Sequence, residues 1–82
     1  MRVLFSTAAE DQLERLPRYL QKRILSKIEI YIAQPDPLKF AEPLSGSSYF
    51  RFRVGNYRVI FEILHGGAFW VLAIKRRDEA YR

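Results

Sequence analysis

An 82-residue chain with 49% hydrophobic residues has room for one core and no second, so one domain over residues 1–82 is expected. With no cysteine, disulfide scaffolds, zinc–thiolate sites and thiol catalysis are excluded; no stretch has the length of a membrane span or the pattern of a signal peptide, and a cytoplasmic protein without membrane contact is expected. The net charge of +5 points to an anionic partner, nucleic acid first.

Residues 2–5 have the composition of a short first strand. Thr7-Ala8-Ala9-Glu10 fits a capping box that opens a helix, and Ala9, Leu13 and Leu16 follow at i, i+4, i+7 on one apolar face. Pro17 ends this helix and can open the next, because its missing N–H costs little there. A second helix is predicted over residues 18–34, with Leu20, Ile24, Ile28 and Tyr31 in one stripe widened by Leu25 and Ile32. Arg18, Lys22, Arg23 and Lys27 fall mostly away from that stripe and read as a solvated face. The prolines at 35 and 37 stop the helix. Residues 38–48 read as a connecting loop.

Residues 49–61, YFRFRVGNYRVIF, read as a β-hairpin turning at Gly55-Asn56. That turn sets Val54 against Tyr57, Arg53 against Arg58, Phe52 against Val59 and Phe50 against Phe61. One face is then apolar, and the other gathers Arg51, Arg53 and Arg58. Like charges directly opposite across a hairpin repel, and a conflict of this kind in a consistent pattern marks an expected functional site. A bound anion would relieve it. Glu62 shares this face and is expected to pair with an arginine.

A second tight turn at Gly66-Gly67 leads to a third strand over residues 69–74. With those two glycines as the loop, Val59 faces Ile74, Phe61 faces Leu72 and Ile63 faces Trp70. Trp70 is then core, Lys75 lies beside Arg58, and Ile60, Leu64, Phe69 and Val71 form an apolar stripe on the outer face that needs a partner, either the tail of this chain or another protein. His65 reads as a turn residue. The expected fold is α+β, with an N-terminal strand, a helical hairpin and a three-stranded antiparallel meander packed on the helices.

Between residues 49 and 77 stand six basic residues and one acid, a net +5 equal to that of the whole chain. The third strand delivers Lys75, Arg76 and Arg77 next to Arg58. Arg51, Arg53, Arg58 and Arg77 can therefore converge on a phosphate, which guanidinium groups hold bidentately. Tyr81, among these cations, is a candidate base for a ribose 2′-hydroxyl, a chemistry that RNA allows and DNA does not. Each element has a plainer reading. Strand-face arginines are often solvated surface, and residues near a terminus are often frayed. The sequence has no glycine-rich phosphate loop, no metal-ligand spacing and no nucleophile–histidine pair. No cofactor or metal is expected.

Glu42-Pro43-Leu44-Ser45-Gly46, followed by Tyr49-Phe50-Arg51-Phe52-Arg53-Val54-Gly55-Asn56-Tyr57-Arg58-Val59-Ile60-Phe61, resembles the "PL-x-G … YR-[hydrophobic]-RVGDYRV-[hydrophobic]-Y" core of the RelE/ParE toxin superfamily. Arg77-Asp78-Glu79-Ala80-Tyr81 is similar to its closing "R-x-E-V-Y", and the resemblance spans essentially the whole chain. Where the family often has Gly-His or Gly-Lys before the arginine, this chain has Lys75-Arg76. The resemblance implies a toxin of a type II toxin–antitoxin system, held inactive by a cognate antitoxin in a hetero-oligomer. On the RelE-like branch it implies a ribosome-dependent endonuclease that cuts mRNA in the A site of the small ribosomal subunit by 2′-hydroxyl attack. Tyr81 is then the base, Arg77 is the leaving-group acid or a charge stabiliser, the second favoured because arginine is a poor proton donor, Arg51, Arg53 and Arg58 clamp the phosphate, and Lys75 and Arg76 bind RNA. Two alternatives remain: a ParE-like gyrase-inhibiting toxin on the same scaffold, and a non-catalytic basic module that binds RNA or the ribosome.

Overall fold

A five-stranded sheet with two helices on one face forms the molecule, seen in a computed structural model that describes residues 2–77. The strands are β1 (Val3–Phe5), β2 (Glu42–Pro43), β3 (Tyr49–Val54), β4 (Tyr57–Ile63) and β5 (Phe69–Arg76). They lie in the order β1-β5-β4-β3-β2, with β1 parallel to β5 and the other pairs antiparallel. The helices are α1 (Thr7–Glu14) and α2 (Arg18–Ile32). The expected strand, helical hairpin and meander are all present. The stretch expected to be loop also holds a 3₁₀ turn, Pro37–Phe40, and the edge strand β2.

The cap of α1 differs from the expected box. Ser6, not Thr7, is the N-cap, and its Oγ accepts from the Ala9 N–H at 3.0 Å. A Ser6 cap leaves Ala9 at the third helical position, so Glu10 is one residue too late to close a box. α2 ends at Ile32, two residues before the expected stop. Ile24 and Ile28 are buried on its inner stripe, whereas Leu25 is 36% exposed and lies off it.

The β3–β4 register is the expected one throughout, from Tyr49 opposite Glu62 to Val54 opposite Tyr57. Gly55 carries the turn with φ of +58°. Asn56 does not take positive φ, so this turn follows the II′ pattern, with glycine at the first central position.

The β4–β5 pairing corrects the sequence reading. The Leu64 N–H donates to the Ala68 carbonyl at 2.8 Å, so the loop is three residues, His65-Gly66-Gly67, rather than two. Ile63 therefore faces Phe69 and Phe61 faces Val71. A bulge at Leu72 then restores the expected pairs, Ile60 with Ala73 and Val59 with Ile74. One extra loop residue is cancelled by one extra strand residue. Between the two, every side chain of β5 points the other way. Phe69 and Val71, expected outside, are each 1% exposed in the core, and Trp70, expected inside, is half-buried on the outer face.

The bulge is held by α1. Ser6 Oγ donates to the Leu72 carbonyl at 2.8 Å, and Gln12 Oε1 accepts from the Ile74 N–H at 2.6 Å. Two backbone groups with no strand partner at the bulge thus find side chains. Beneath the helices the core joins Ala9, Ile24 and Ile28 to Phe52, Val54, Val59, Phe61, Phe69, Val71 and Ile74. Its aromatic row runs Tyr31–Phe52–Phe61–Phe69 with centroid spacings of 4.7, 4.4 and 5.0 Å.

Candidate phosphate-binding site

Strand alternation puts Arg51 and Arg53 on the face of the sheet that the helices leave open, and the hairpin register puts Arg58 directly opposite Arg53. The expected clash of cations is present and is answered within the chain. Glu42 of β2 stands opposite Arg51 in the register. Its Oε2 is 2.7 Å from Arg51 Nη2, and its Oε1 is 3.1 Å from Arg53 Nε. The hydrogen bond from Arg51, helped by the charges of Arg51, Arg53 and Arg58, holds the Glu42 carboxyl below the usual range. Sequence reasoning assigned residues 38–48 to a loop and so missed this carboxylate. Glu62, expected to pair with an arginine, instead accepts a hydrogen bond from the Ser48 hydroxyl.

Arg58 is 4% exposed, the only buried charged residue among those described. Together with Arg53, Gly55, Tyr57 and Arg77 it lines a shallow cavity of about 50 Å³ at the tip of the hairpin. Arg77 is carried there by the end of β5, where its N–H donates to the Asn56 carbonyl at 2.7 Å. Three of the four expected arginines thus meet. Arg51 does not line the cavity. It lies two residues back along β3, tied to Glu42, and its Nε is buried with no acceptor among the described residues. Lys75 sits opposite Arg58 as expected, whereas Arg76 pairs with Tyr57 in the register and so falls on the other face of the strand. Tyr57, which the sequence reading used only as a pairing partner, is part of the cavity wall. Tyr81 lies outside the described residues.

Arginines stay charged at every relevant pH and present forked donors, so this cavity is suited to a singly esterified phosphate or a backbone phosphodiester. Among the described residues no three His, Cys, Asp or Glu side chains come together as metal ligands. No helix among the described residues is long and apolar enough to cross a membrane.

The family model for the ParE toxin of the type II toxin–antitoxin system parDE matches residues 3–81. The chain belongs to that family. The toxin also shares its fold with solved RelE structures. It is 24% identical to a chain of the RelBE2 toxin–antitoxin complex of Mycobacterium tuberculosis, over 93% of this chain and 96% of that one, with a TM-score of 0.75. It is 28% identical to a chain of the RelB–RelE complex of Methanococcus jannaschii, over 95% and 94%, with a TM-score of 0.73. For the RelE–RelB complex of Pyrococcus horikoshii the identity is 29%, over 93% of each chain, with a TM-score of 0.73. No curated protein sequence matches the toxin.

Proposed function

We propose that the toxin is a ribosome-dependent mRNA endonuclease, a single catalytic domain working in the cytoplasm. The observation that carries this reading is the meeting of Arg53, Arg58 and Arg77 around one phosphate-sized cavity. In this mechanism the arginines hold a backbone phosphate of mRNA in the ribosomal A site. The neighbouring ribose 2′-oxygen attacks phosphorus and gives up its proton to a base, for which the resemblance nominates Tyr81. The bond to the 5′-oxygen breaks, that oxygen takes up a proton, and a 2′,3′-cyclic phosphate and a 5′-hydroxyl remain. Negative charge grows on the phosphate oxygens during the attack, and Arg58 and Arg77 stabilise it. Arg77 serves this electrostatic role rather than donating the proton, because a guanidinium group is a poor proton donor. Arg51 and Arg53 join the clamp when RNA displaces Glu42, and Lys75 steers the strand. The cavity holds few groups able to deprotonate a hydroxyl. A ribosome that orients the RNA would supply much of the rate.

A cognate antitoxin is the proposed protein partner, since the solved RelE relatives were captured with RelB proteins. The outer stripe expected from the sequence as its contact is reduced to Ile60 and Leu64, because Phe69 and Val71 are in the core.

Gyrase inhibition is the second reading. The family model that matches bears the ParE name, and Glu42 already neutralises two of the arginines that a nuclease would use. The deciding experiment is cleavage of mRNA by purified toxin on programmed ribosomes, run beside free RNA and a supercoiling assay. A-site cuts that need ribosomes are expected. Arg77→Ala should lower the cleavage rate by about 10²–10³, and Tyr81→Phe should abolish cleavage while RNA binding survives. Inhibited supercoiling without cuts would move the toxin to gyrase.

A further inference from the structure

We propose that Arg23 of α2 is a second phosphate-binding residue of this site, holding the backbone phosphate next to the one in the hairpin cavity. The sequence places Arg23 on the solvated face of its helix, but the fold brings its guanidinium against the hairpin turn. A Cβ at position 55 would stand 3.4 Å from Arg23 Nη2 and 3.5 Å from its Cζ, and Gly55 itself lines the cavity. Further along the same helical row, the Tyr31 hydroxyl donates to the Arg53 carbonyl at 3.3 Å. The row at 23, 27 and 31 therefore runs alongside the arginine-bearing end of β3. Lys27 stands between the two, with its Nζ 5.9 Å from the Tyr31 ring centroid. Arg23 is exposed, and no salt bridge occupies it among the described residues.

These contacts give the cavity a direction. A strand whose phosphate sits between Arg58 and Arg77 passes over the glycine turn and meets Arg23 next, with Lys27 beyond. Glycine at 55 leaves that crossing free of a side chain. A flexible polyanion is the ligand that matches a buried cation at one end and an exposed cationic row at the other. The inference rests on the RNA reading of the cavity, but it does not require that the RNA be cut.

The test is the salt dependence of binding to a single-stranded RNA whose 2′-hydroxyls are all methylated, so that it cannot be cleaved. Removing one cation that neutralises a phosphate should make the slope of log affinity against log salt shallower by about 0.7. Arg23→Gln is expected to show that change, Arg23→Lys to keep the native slope, and Lys22→Gln, which removes one charge on the same helix but off the row, to leave it unaltered. An unchanged slope in Arg23→Gln, or equal changes in Arg23→Gln and Lys22→Gln, would overturn the proposal. If the native toxin fails to bind this RNA even at low salt, the RNA reading of the cavity falls with it. Absent ribosomal cleavage alongside an Arg23-dependent slope would retire the nuclease and keep the binding track.

Discussion

Glu42 decides what the arginine face is in the free toxin. It bridges Arg51 and Arg53 and so relieves the repulsion that the Arg53–Arg58 pair builds into the hairpin. The same carboxylate competes with any phosphate for those two guanidinium groups. Its folded pKa lies below the ordinary value of 4.5. The unfolded chain therefore takes up this proton first, so the stabilisation is complete above that value and is lost as pH falls through the lower folded one. Glu42→Gln should thus be less stable than the native toxin near neutral pH, with the gap closing below about pH 4.5, as read from thermal melts across the range. Parallel loss of stability in the two proteins would refute the assignment. With the competitor gone, the variant should also bind single-stranded RNA more tightly.

At the scale of elements, β5 depends on α1 for its shape. The three-residue loop displaces the register by one, and the Leu72 bulge returns it. Without the bulge, the displacement would carry on to the end of the strand and turn Ile74 outward and Lys75 inward. Ser6 caps α1 and also donates to the bulge carbonyl, so Ser6→Ala removes both hydrogen bonds. A loss of about 1–2 kcal/mol is expected in urea denaturation, with Thr7→Ala nearly neutral. The reverse order would restore the Thr7 cap read from the sequence. Correct register at the end of β5 also sets Lys75 beside Arg58 and launches Arg77 toward Asn56. The cap on α1 is therefore tied to the aim of an arginine at the far end of the strand.

Across the whole molecule, one face of the sheet makes the core and the other carries Arg51, Arg53 and Arg58. Phe61 is fully buried, stacks with Phe50 and Phe52, and meets Phe69 at a tilt. Phe61→Ala should cost about 3–5 kcal/mol, a large part of the roughly 5–15 kcal/mol that holds a native domain together. Ile63, in the same strand but 36% exposed at its end, should tolerate alanine far better, and chemical denaturation distinguishes the two. Because the arginines sit directly behind this aromatic row, the core variant should lose RNA binding in proportion to its unfolded fraction. A variant that is fully folded yet fails to bind would point to a site more dependent on β4 than on the arginines.

Local physics was enough for much of this protein. Period-two alternation sorted residues 49–54 onto two faces, the glycine turn set the β3–β4 register to the residue, and Arg53 was placed opposite Arg58. The helix pattern found Ile24 and Ile28 in the core. These features depend on neighbours close in sequence, and short-range spacing carries them. Three outcomes depended on contacts between distant segments. Glu42 reaches Arg51 and Arg53 only because a stretch with loop composition pairs as an edge strand. Arg23 reaches Gly55 only because α2 packs over β3. The backbone beside the Leu72 bulge is satisfied by Ser6 and Gln12, from 66 and 62 residues away in sequence. A sequence pattern records which face a residue prefers. It does not record which distant partner makes an extra residue or an unpaired backbone group tolerable, and that is settled only when the helices close on the sheet.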